Sequence, residues 1–525
     1  MTLQILDSTL RDGALAGDVN LSLEDKLKLA PLIDRLGVTY LEGGWPAVFP
    51  GDLEFFERAR ELNLRARLVA FGATRKPETA VAKDRGLEAL LRCDTPAVSL
   101  YGKVWGLHVE KVLRTSLEEN LKMMLESVQH LRASGREVIL MAEHFFDALR
   151  DDPNYALEFV KTAGAAGANT VVLADSNGSS LPAQIRDGIS RALEVAGVPV
   201  GVHLHNDFGL ALANALEAVA AGATHVQGSV NGYGARNGIT DLTALLPILK
   251  LKLDQNVVTD EELARLTPVA LEVAEVVGKS AEMDDAPFVG RRVFEHKTDT
   301  HVAAVLSTPQ AYEPIPPERV GNVRRLVVPG VSRPAYLARI AEAYGVNLQD
   351  GSASSNRILQ ELKRLEDAGY SFEDAPASLE LALGQLTGKF TKVLSVDRVR
   401  IFDAIRGRDR PVVEASLSVK IGVEAEYVAA ESFGPVKALL KAIKAALALS
   451  EDPLLAAYSA TLETVSFRIR SVNRRDEPLR ARAAITMTDG KRDWTCVGIS
   501  EDLLESCWKA LVDGVEYGIA TRESA

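Results

Sequence analysis

The feature that most narrows the possible folds of this chain is an alternation in its first 250 residues, where short apolar runs give way to longer amphipathic stretches. Parallel strands joined by crossover helices produce such a pattern, because each helix must lay an apolar stripe across the strands it connects. Eight strand candidates can be counted: Gln4 to Asp7, Thr39 to Glu42, Ala66 to Phe71, Ala97 to Tyr101, Glu137 to Ala142, Thr170 to Ala174, Val200 to His205 and His225 to Val230. Between the first two, Leu23 to Leu36 places Leu27, Ala30, Leu32, Ile33 and Leu36 at roughly helical spacing, with Glu24, Asp25, Lys26 and Lys28 facing away. An open doubly wound sheet would share this alternation. Against it, no glycine-rich phosphate fingerprint follows the first strand, and polar clusters follow nearly every strand. Residues 1–253 are therefore read as a closed, parallel (β/α)8 barrel with its reactive end at the C-terminal ends of the strands.

At 525 residues the chain exceeds a single compact core. Residues 254–388 read as mostly helical, with Glu261 to Val277 and Ser354 to Glu366 as amphipathic pieces. A proline-rich patch, Pro309 to Pro317, divides them into two connector subdomains. Residues 389–525 contain an internal echo, since YVAAESFGPVKALLKAIKAAL and WTCVGISEDLLESCWKALVDGVEY each place a strand-like run before an amphipathic helix. Alternating runs at Val412 to Val423 and Leu479 to Thr488 precede them. This is the pattern of a pseudo-symmetric α+β domain that senses a ligand, pairs with a copy of itself, or serves dimerisation alone.

Composition excludes several functions. A net charge of −12 argues against a nucleic-acid partner. Cys93, Cys496 and Cys507 are too few and too scattered for a disulfide framework or a structural zinc site, which fits a reducing compartment. MTLQILDSTLRDG has no basic segment followed by an apolar one, and no uncharged apolar run reaches the ~18 residues of a membrane span. The expectation is a cytoplasmic protein with no membrane partner.

The run HLHND puts His203 and His205 two apart on a strand, so both imidazoles point into the barrel near its mouth. That is metal-ligand spacing, although such a pair is often structural. Asp12, just past the first strand in STLRDG, supplies a carboxylate from across the same mouth, and Arg11 beside it suits an anionic substrate. The bland alternative makes Arg11 and Asp12 a surface ion pair. Glu143 and His144 after strand five, Asp175 to Gly178 after strand six and Asn231 to Gly238 after strand eight add polar groups to the same rim. Among them Ser176 could donate to a substrate carboxylate and NGYGARNG offers backbone N–H groups.

DSTLRDG, YLEGGWP, LVAFGATR, YGKVWGLHV, AEHFFDA, ADSNG, HLHND and VQGSVNGYG, in this order, resemble the citramalate synthases, relatives of the isopropylmalate and homocitrate synthases. The resemblance runs essentially end to end, through FEHKTDTHVAAVLSTPQAYEPIPPERVGN to the closing GISEDLLESCWKALVDGVEY. It implies a TIM-barrel catalytic domain (1–253), helical connector subdomains (254–388) and a C-terminal regulatory and dimerisation domain (389–525) in a homodimer. It implies an acyltransferase running a Claisen condensation: acetyl-CoA loses a methyl proton, the enolate attacks the ketone of a 2-oxo acid, and thioester hydrolysis releases CoA. Pyruvate, giving citramalate for isoleucine biosynthesis, is the first expectation.

By motif position, the resemblance implies a divalent metal (Mn, Mg, Zn or Co) on Asp12, His203 and His205. Arg11 would hold the keto acid and stabilise its alkoxide, Glu143 would assist proton transfer, and Glu42, Tyr101 and Ser176 would line the substrate pocket. Ser176 stands where the family usually has Thr. His301 in THVAAV and Tyr312 in QAYE occupy the places of a His and a Tyr that reach over the mouth, often from a partner chain, with His301 the candidate base for the acetyl methyl group.

Departures cluster near the mouth. Ala235 replaces a family glutamate, and Ile239 replaces an asparagine at the metal shell, leaving Asn237 or water to fill the gap. Met141, KTDTH, VSRPA and SFGPV also differ from the family pattern. Three other readings follow: the same chemistry on a different 2-oxo acid, a metal-dependent aldolase or lyase, and a weakened paralogue that binds a metabolite.

Overall fold

A computed structural model describes residues 3–326, 341–342, 347, 353–370, 372, 375–404, 412–421, 424–472 and 479–522. VSRPA lies outside the described residues, as do the last two positions of Val412 to Val423. The chain forms two compact units, one comprising Met1–Glu295 and Pro309–Arg325, the other His296–Thr308 and Leu326–Ala525. No helix of the described residues is long and apolar enough to cross a membrane.

The first unit is built on a closed barrel of eight parallel strands: β1 (Gln4–Asp7), β2 (Tyr40–Gly44), β3 (Arg67–Ala73), β4 (Ala97–Lys103), β5 (Glu137–Glu143), β6 (Thr170–Asp175), β7 (Val200–Leu204) and β8 (His225–Gly228). Closure is made by β1 against β8, where Gln4, Ile5, Leu6 and Asp7 pair with His225, Val226, Gln227 and Gly228. The strand period of two separates the layers. Leu6, Tyr40, Val69, Phe71, Ile139, Met141 and Val172 fill the interior. Their neighbours Ile5, Leu41, Ala70, Val138, Leu140 and Val171 pack outward under the helices.

Several boundaries differ from the sequence reading. Strands β2 to β6 run one or two residues further at their C-terminal ends, whereas β7 stops at Leu204 and β8 at Gly228. His205 and Ser229 instead make single bridges to Ile239 and Asp241, because the loop after β8 folds back across the mouth. The helix expected over Leu23 to Leu36 spans Leu23–Asp34. It starts at a capping box in which Ser22 Oγ accepts from the Asp25 N–H and the Asp25 carboxylate accepts from the Ser22 N–H. The continuous helix expected over Glu261 to Val277 is two, Asp260–Leu263 and Leu266–Val276. Pro268 lacks the N–H an unbroken helix would need, so the chain restarts with the proline in a first turn.

In the second unit the internal echo is a repeated strand–strand–strand–helix. The antiparallel sheet β9 (Leu394–Ala404), β10 (Val412–Ile421) and β11 (Glu424–Ser432) is followed by the helix Pro435–Leu447. The sheet β12 (Glu463–Val472), β13 (Arg480–Thr488) and β14 (Asp493–Ser500) is followed by Leu503–Ala520. Buried Leu439, Ile443 and Leu447 of the first helix share one core with Leu511 and Val515 of the second.

A buried ion pair fixes the loop after β2. Lys26 Nζ lies 2.5 Å from Asp52 Oδ1 and 3.2 Å from the Gly43 carbonyl, while Asp52 Oδ2 accepts the Trp45 N–H at 2.6 Å. Removing one member strands the other charge away from water, which costs about 3–5 kcal/mol. Lys26→Ala is expected to lower the unfolding free energy of the barrel by that order, read from urea denaturation followed by tryptophan fluorescence. A loss under about 1 kcal/mol would show that water reaches the pair.

Candidate active site at the barrel mouth

The turn after β1 carries the site. Asp7 at the end of that strand is buried and accepts from both the N–H and the hydroxyl of Thr9, each at 2.9 Å. Thr9 Oγ1 in turn accepts the Val230 N–H at 2.9 Å, so β1 and the loop after β8 are tied at the mouth. Burial pushes the Asp7 carboxyl up to about 7. The N–H groups of Arg11, Asp12 and Gly13 all return to the Ser8 carbonyl, which presents Arg11 and Asp12 inward.

Arg11 and Asp12 are 7% and 3% exposed, so the surface ion pair weighed from sequence is instead a buried one. Arg11 Nε donates to Glu42 Oε2 at 2.6 Å, Nη1 donates to Asp12 Oδ2, and the guanidinium lies 3.9 Å over the Phe71 ring. Ser8 Oγ donates to the same Glu42 oxygen at 2.5 Å. Nη2 of Arg11 is buried with no hydrogen-bond partner among the described residues, and so is Oε1 of Glu42. An arginine so fixed, with one donor left over, is prepared for an anionic or carbonyl oxygen. Trp45, Phe71 and Tyr101 form an aromatic wall beside it, with Phe71 and Tyr101 stacked at 5.4 Å and Trp45 edge-on to both. Of the residues expected at the substrate pocket, Glu42 contacts Arg11 and Tyr101 belongs to the aromatic wall.

Asp12, His203 and His205 come together, with one ligand atom from each lying within 4.8 Å of the others. His203 Nε2 is 3.6 Å from Asp12 Oδ2, and the two imidazole centroids are 5.2 Å apart. Metal bonds of about 2.0–2.2 Å place adjacent donors roughly 3.0–3.5 Å apart, and the 3.6 Å between His203 Nε2 and Asp12 Oδ2 comes near that spacing. One carboxylate and two imidazoles form a donor set that a divalent ion takes. His205 Nδ1 is also buried and without a hydrogen-bond partner among the described residues. Burial raises the Asp12 carboxyl, but Arg11 and the imidazoles outweigh it and hold it down at about 2. Burial pushes His203 down to about 3 and His205 down as well, which keeps both rings neutral as ligands must be.

The loop after β8 approaches closely. Asp12 Oδ1 accepts the Ala235 N–H at 3.1 Å, and a Cβ on Gly234 would stand 3.0 Å from that same oxygen, so glycine permits the contact. Ile239 is buried, and its backbone bridges to that of His205. Asn237, the candidate from sequence to fill the gap left by Ile239, is exposed and donates its amide to the Asn206 carbonyl. Arg236 clasps Asp207 through two bonds of 2.8 Å and donates to the Ser176 carbonyl at 2.7 Å, linking the loops after β6, β7 and β8.

Glu143, the last residue of β5, is held by Lys103 of β4 at 2.6 Å. Ser176 Oγ accepts the His144 N–H at 2.9 Å and keeps its own hydrogen to donate. His301 belongs to the second unit, on the helix Asp299–Ser307, and Tyr312 lies in the first unit, 42% exposed after the short turn Pro309–Ala311. A cavity of about 1430 Å³ bordered by Tyr458, Asp489 and Arg492 also belongs to the second unit and contains none of these residues.

Sequence reasoning missed Gln227. It is fully buried on β8, and its Oε1 lies 3.0 Å from His203 Nδ1. The signal was present in HVQGS, where His225, Gln227 and Ser229 alternate inward along a strand.

Comparison with known proteins places these residues in context. Three family descriptions match in succession: HMGL-like over residues 2–271, homocitrate synthase post-HMGL domain-like over 288–370, and LeuA allosteric (dimerisation) domain over 375–519. An (R)-citramalate synthase of Aquifex aeolicus is 39% identical over 524 residues, covering 99% of this chain and 98% of that protein. One from Synechocystis is 40% identical, covering 99% and 96%. A 2-isopropylmalate synthase of Methanocaldococcus jannaschii is 29% identical, covering 99% and 95%.

The cluster separates ligands from neighbours. Asp12→Ala and His203→Ala are each expected to weaken divalent-ion binding at least tenfold in equilibrium dialysis. Arg11→Lys, which keeps a cation beside Glu42 and Asp12, should bind the ion within about threefold of wild type. Equal metal content in all three variants would contradict the ligand assignment.

Proposed function

The chain belongs to the family of the citramalate synthases, and from that premise we propose that it condenses acetyl-CoA with pyruvate to give (R)-citramalate and free CoA. The observation that carries the reading is the buried cluster at the mouth, where Arg11 directs an unpaired N–H beside Asp12, His203 and His205. The aromatic wall of Trp45, Phe71 and Tyr101 next to Arg11 favours a small acceptor such as pyruvate over a bulky one. A divalent ion, when bound by Asp12, His203 and His205, would polarise the ketone as a Lewis acid.

The remaining work falls to the chain's own groups. Arg11, held by Glu42 and Phe71, binds the keto acid and stabilises the oxygen that gains charge as the carbon–carbon bond forms. Ser176 donates its hydroxyl to the substrate carboxylate. By motif position His301, which the family often supplies from a partner chain, is the candidate to take the methyl proton of acetyl-CoA and Tyr312 to cover the reacting groups, while Glu143 would relay the proton that the alkoxide requires. Water then adds to the thioester carbonyl, the carbon–sulfur bond breaks, and the sulfur leaves as the CoA thiol.

The three successive family matches, over 2–271, 288–370 and 375–519, support a catalytic, a connector and a regulatory and dimerisation region in this order, with their limits shifted from the 1–253, 254–388 and 389–525 read from sequence. In that last region, the face of the first sheet turned away from its helix exposes Phe402 and Tyr427, which suits a homodimer formed through that face. A cytoplasmic location fits the substrates.

Incubation with acetyl-CoA and a panel of 2-oxo acids, read by thiol release and chiral mass spectrometry, should yield (R)-citramalate and CoA in equal amounts from pyruvate. CoA release only with a larger 2-oxo acid would move the acceptor, and none with any acceptor would reject the reading. Glu143→Gln is expected to lower kcat by about 10²–10⁴-fold with pyruvate KM little changed.

A further inference from the structure

His203 can serve a cation through Nε2 only when its ring proton sits on Nδ1, and the groups behind the ring decide which nitrogen carries it. Those groups are Gln227 and His225, both fully buried on β8. His203 Nδ1 lies 3.0 Å from Gln227 Oε1, and Gln227 Nε2 lies 3.3 Å from His225 Nε2. Nδ1 of His225 has no hydrogen-bond partner among the described residues, so the network ends there.

Two self-consistent settings satisfy these contacts. In one, the His203 Nδ1–H donates to the Gln227 carbonyl and the Gln227 amide donates to His225 Nε2, which leaves the Nε2 lone pair of His203 facing Asp12. In the other, the amide is turned over: its NH₂ donates to His203 Nδ1, its oxygen accepts from the His225 Nε2–H, and His203 points Nε2–H at Asp12 Oδ2, 3.6 Å away. The first setting offers a donor to a cation. The second puts a proton in the cation's place.

We propose that Gln227, backed by His225, is a positioning residue that selects the ligating tautomer of His203 and couples metal binding to the direction of its own amide. The inference rests on the reading of Asp12, His203 and His205 as metal ligands. A carboxylate at position 227 can only accept, so it holds the proton on His203 Nδ1, whereas an aliphatic side chain exerts no preference. A residue that merely filled space would give a different order, since Glu would disturb the buried site more than Leu.

Metal-free full-length protein titrated calorimetrically with Mn²⁺ tests this. Gln227→Glu is expected to bind at least as tightly as wild type, and Gln227→Leu about 10–100-fold more weakly. Wild-type affinity in Gln227→Leu, or a Gln227→Glu protein as weak as Gln227→Leu, would overturn the proposal. Should Gln227→Leu fail to fold, ¹⁵N shifts of His203 in metal-free Gln227→Glu decide: the proton on Nδ1 supports the tautomer argument and the proton on Nε2 sinks it. A wild-type protein that takes up neither Mn²⁺ nor Zn²⁺ would instead reject the metal reading on which the proposal rests.

Discussion

A guanidinium shut away from water between two carboxylates is the interaction on which the barrel mouth depends. Burying Arg11 costs several kcal/mol unless its charge and hydrogen bonds are answered. Glu42 and Asp12 answer the charge, and Phe71 lies under the guanidinium face. The answer is incomplete by one donor and one acceptor, Arg11 Nη2 and Glu42 Oε1. Unmade hydrogen bonds at buried groups are expensive, and these two lie beside the cluster of Asp12, His203 and His205.

The scaffold holds this arrangement through contacts that span the barrel closure. Asp7 and Thr9 tie the turn after β1 to Val230 beyond β8, and Gly234 lets the same loop reach the Asp12 carboxylate. On the other side, Lys26 and Asp52 seat the loop that presents Trp45. Each contact is a charge-assisted or fully buried hydrogen bond, so reactive groups rest on rigid elements and not on loop plasticity. Ile239 is accommodated beside the cluster, its backbone bridged to His205 while Asp12 receives its backbone contact from Ala235.

The second unit follows a different logic. Two three-stranded antiparallel sheets each pack one face against a helix. The far face of the first leaves Phe402 and Tyr427 exposed, whereas Ala484 and Val497 on the far face of the second are buried with Ala375 and Tyr370. An uncovered apolar sheet face is one that a further layer of protein can cover.

Sequence alone was enough to read the barrel and to expect Asp12, His203 and His205 in one cluster. Strand periodicity places His203 and His205 on one face whatever their surroundings, and a closed barrel must bring residues after the first strand to those on the seventh. Only the tertiary structure decided the burial of Arg11 and Asp12, the pairing of Glu143 with Lys103 and the place of Gln227 behind His203. Periodicity specifies direction but not distance, and dielectric surroundings arise from packing between segments as far apart as Asp12 and Ala235. The end of β7 at Leu204 escaped the sequence reading for a related reason, since local propensity yields to a loop that folds back from elsewhere in the chain, whereas the break before Pro268 has a local cause in the missing proline N–H.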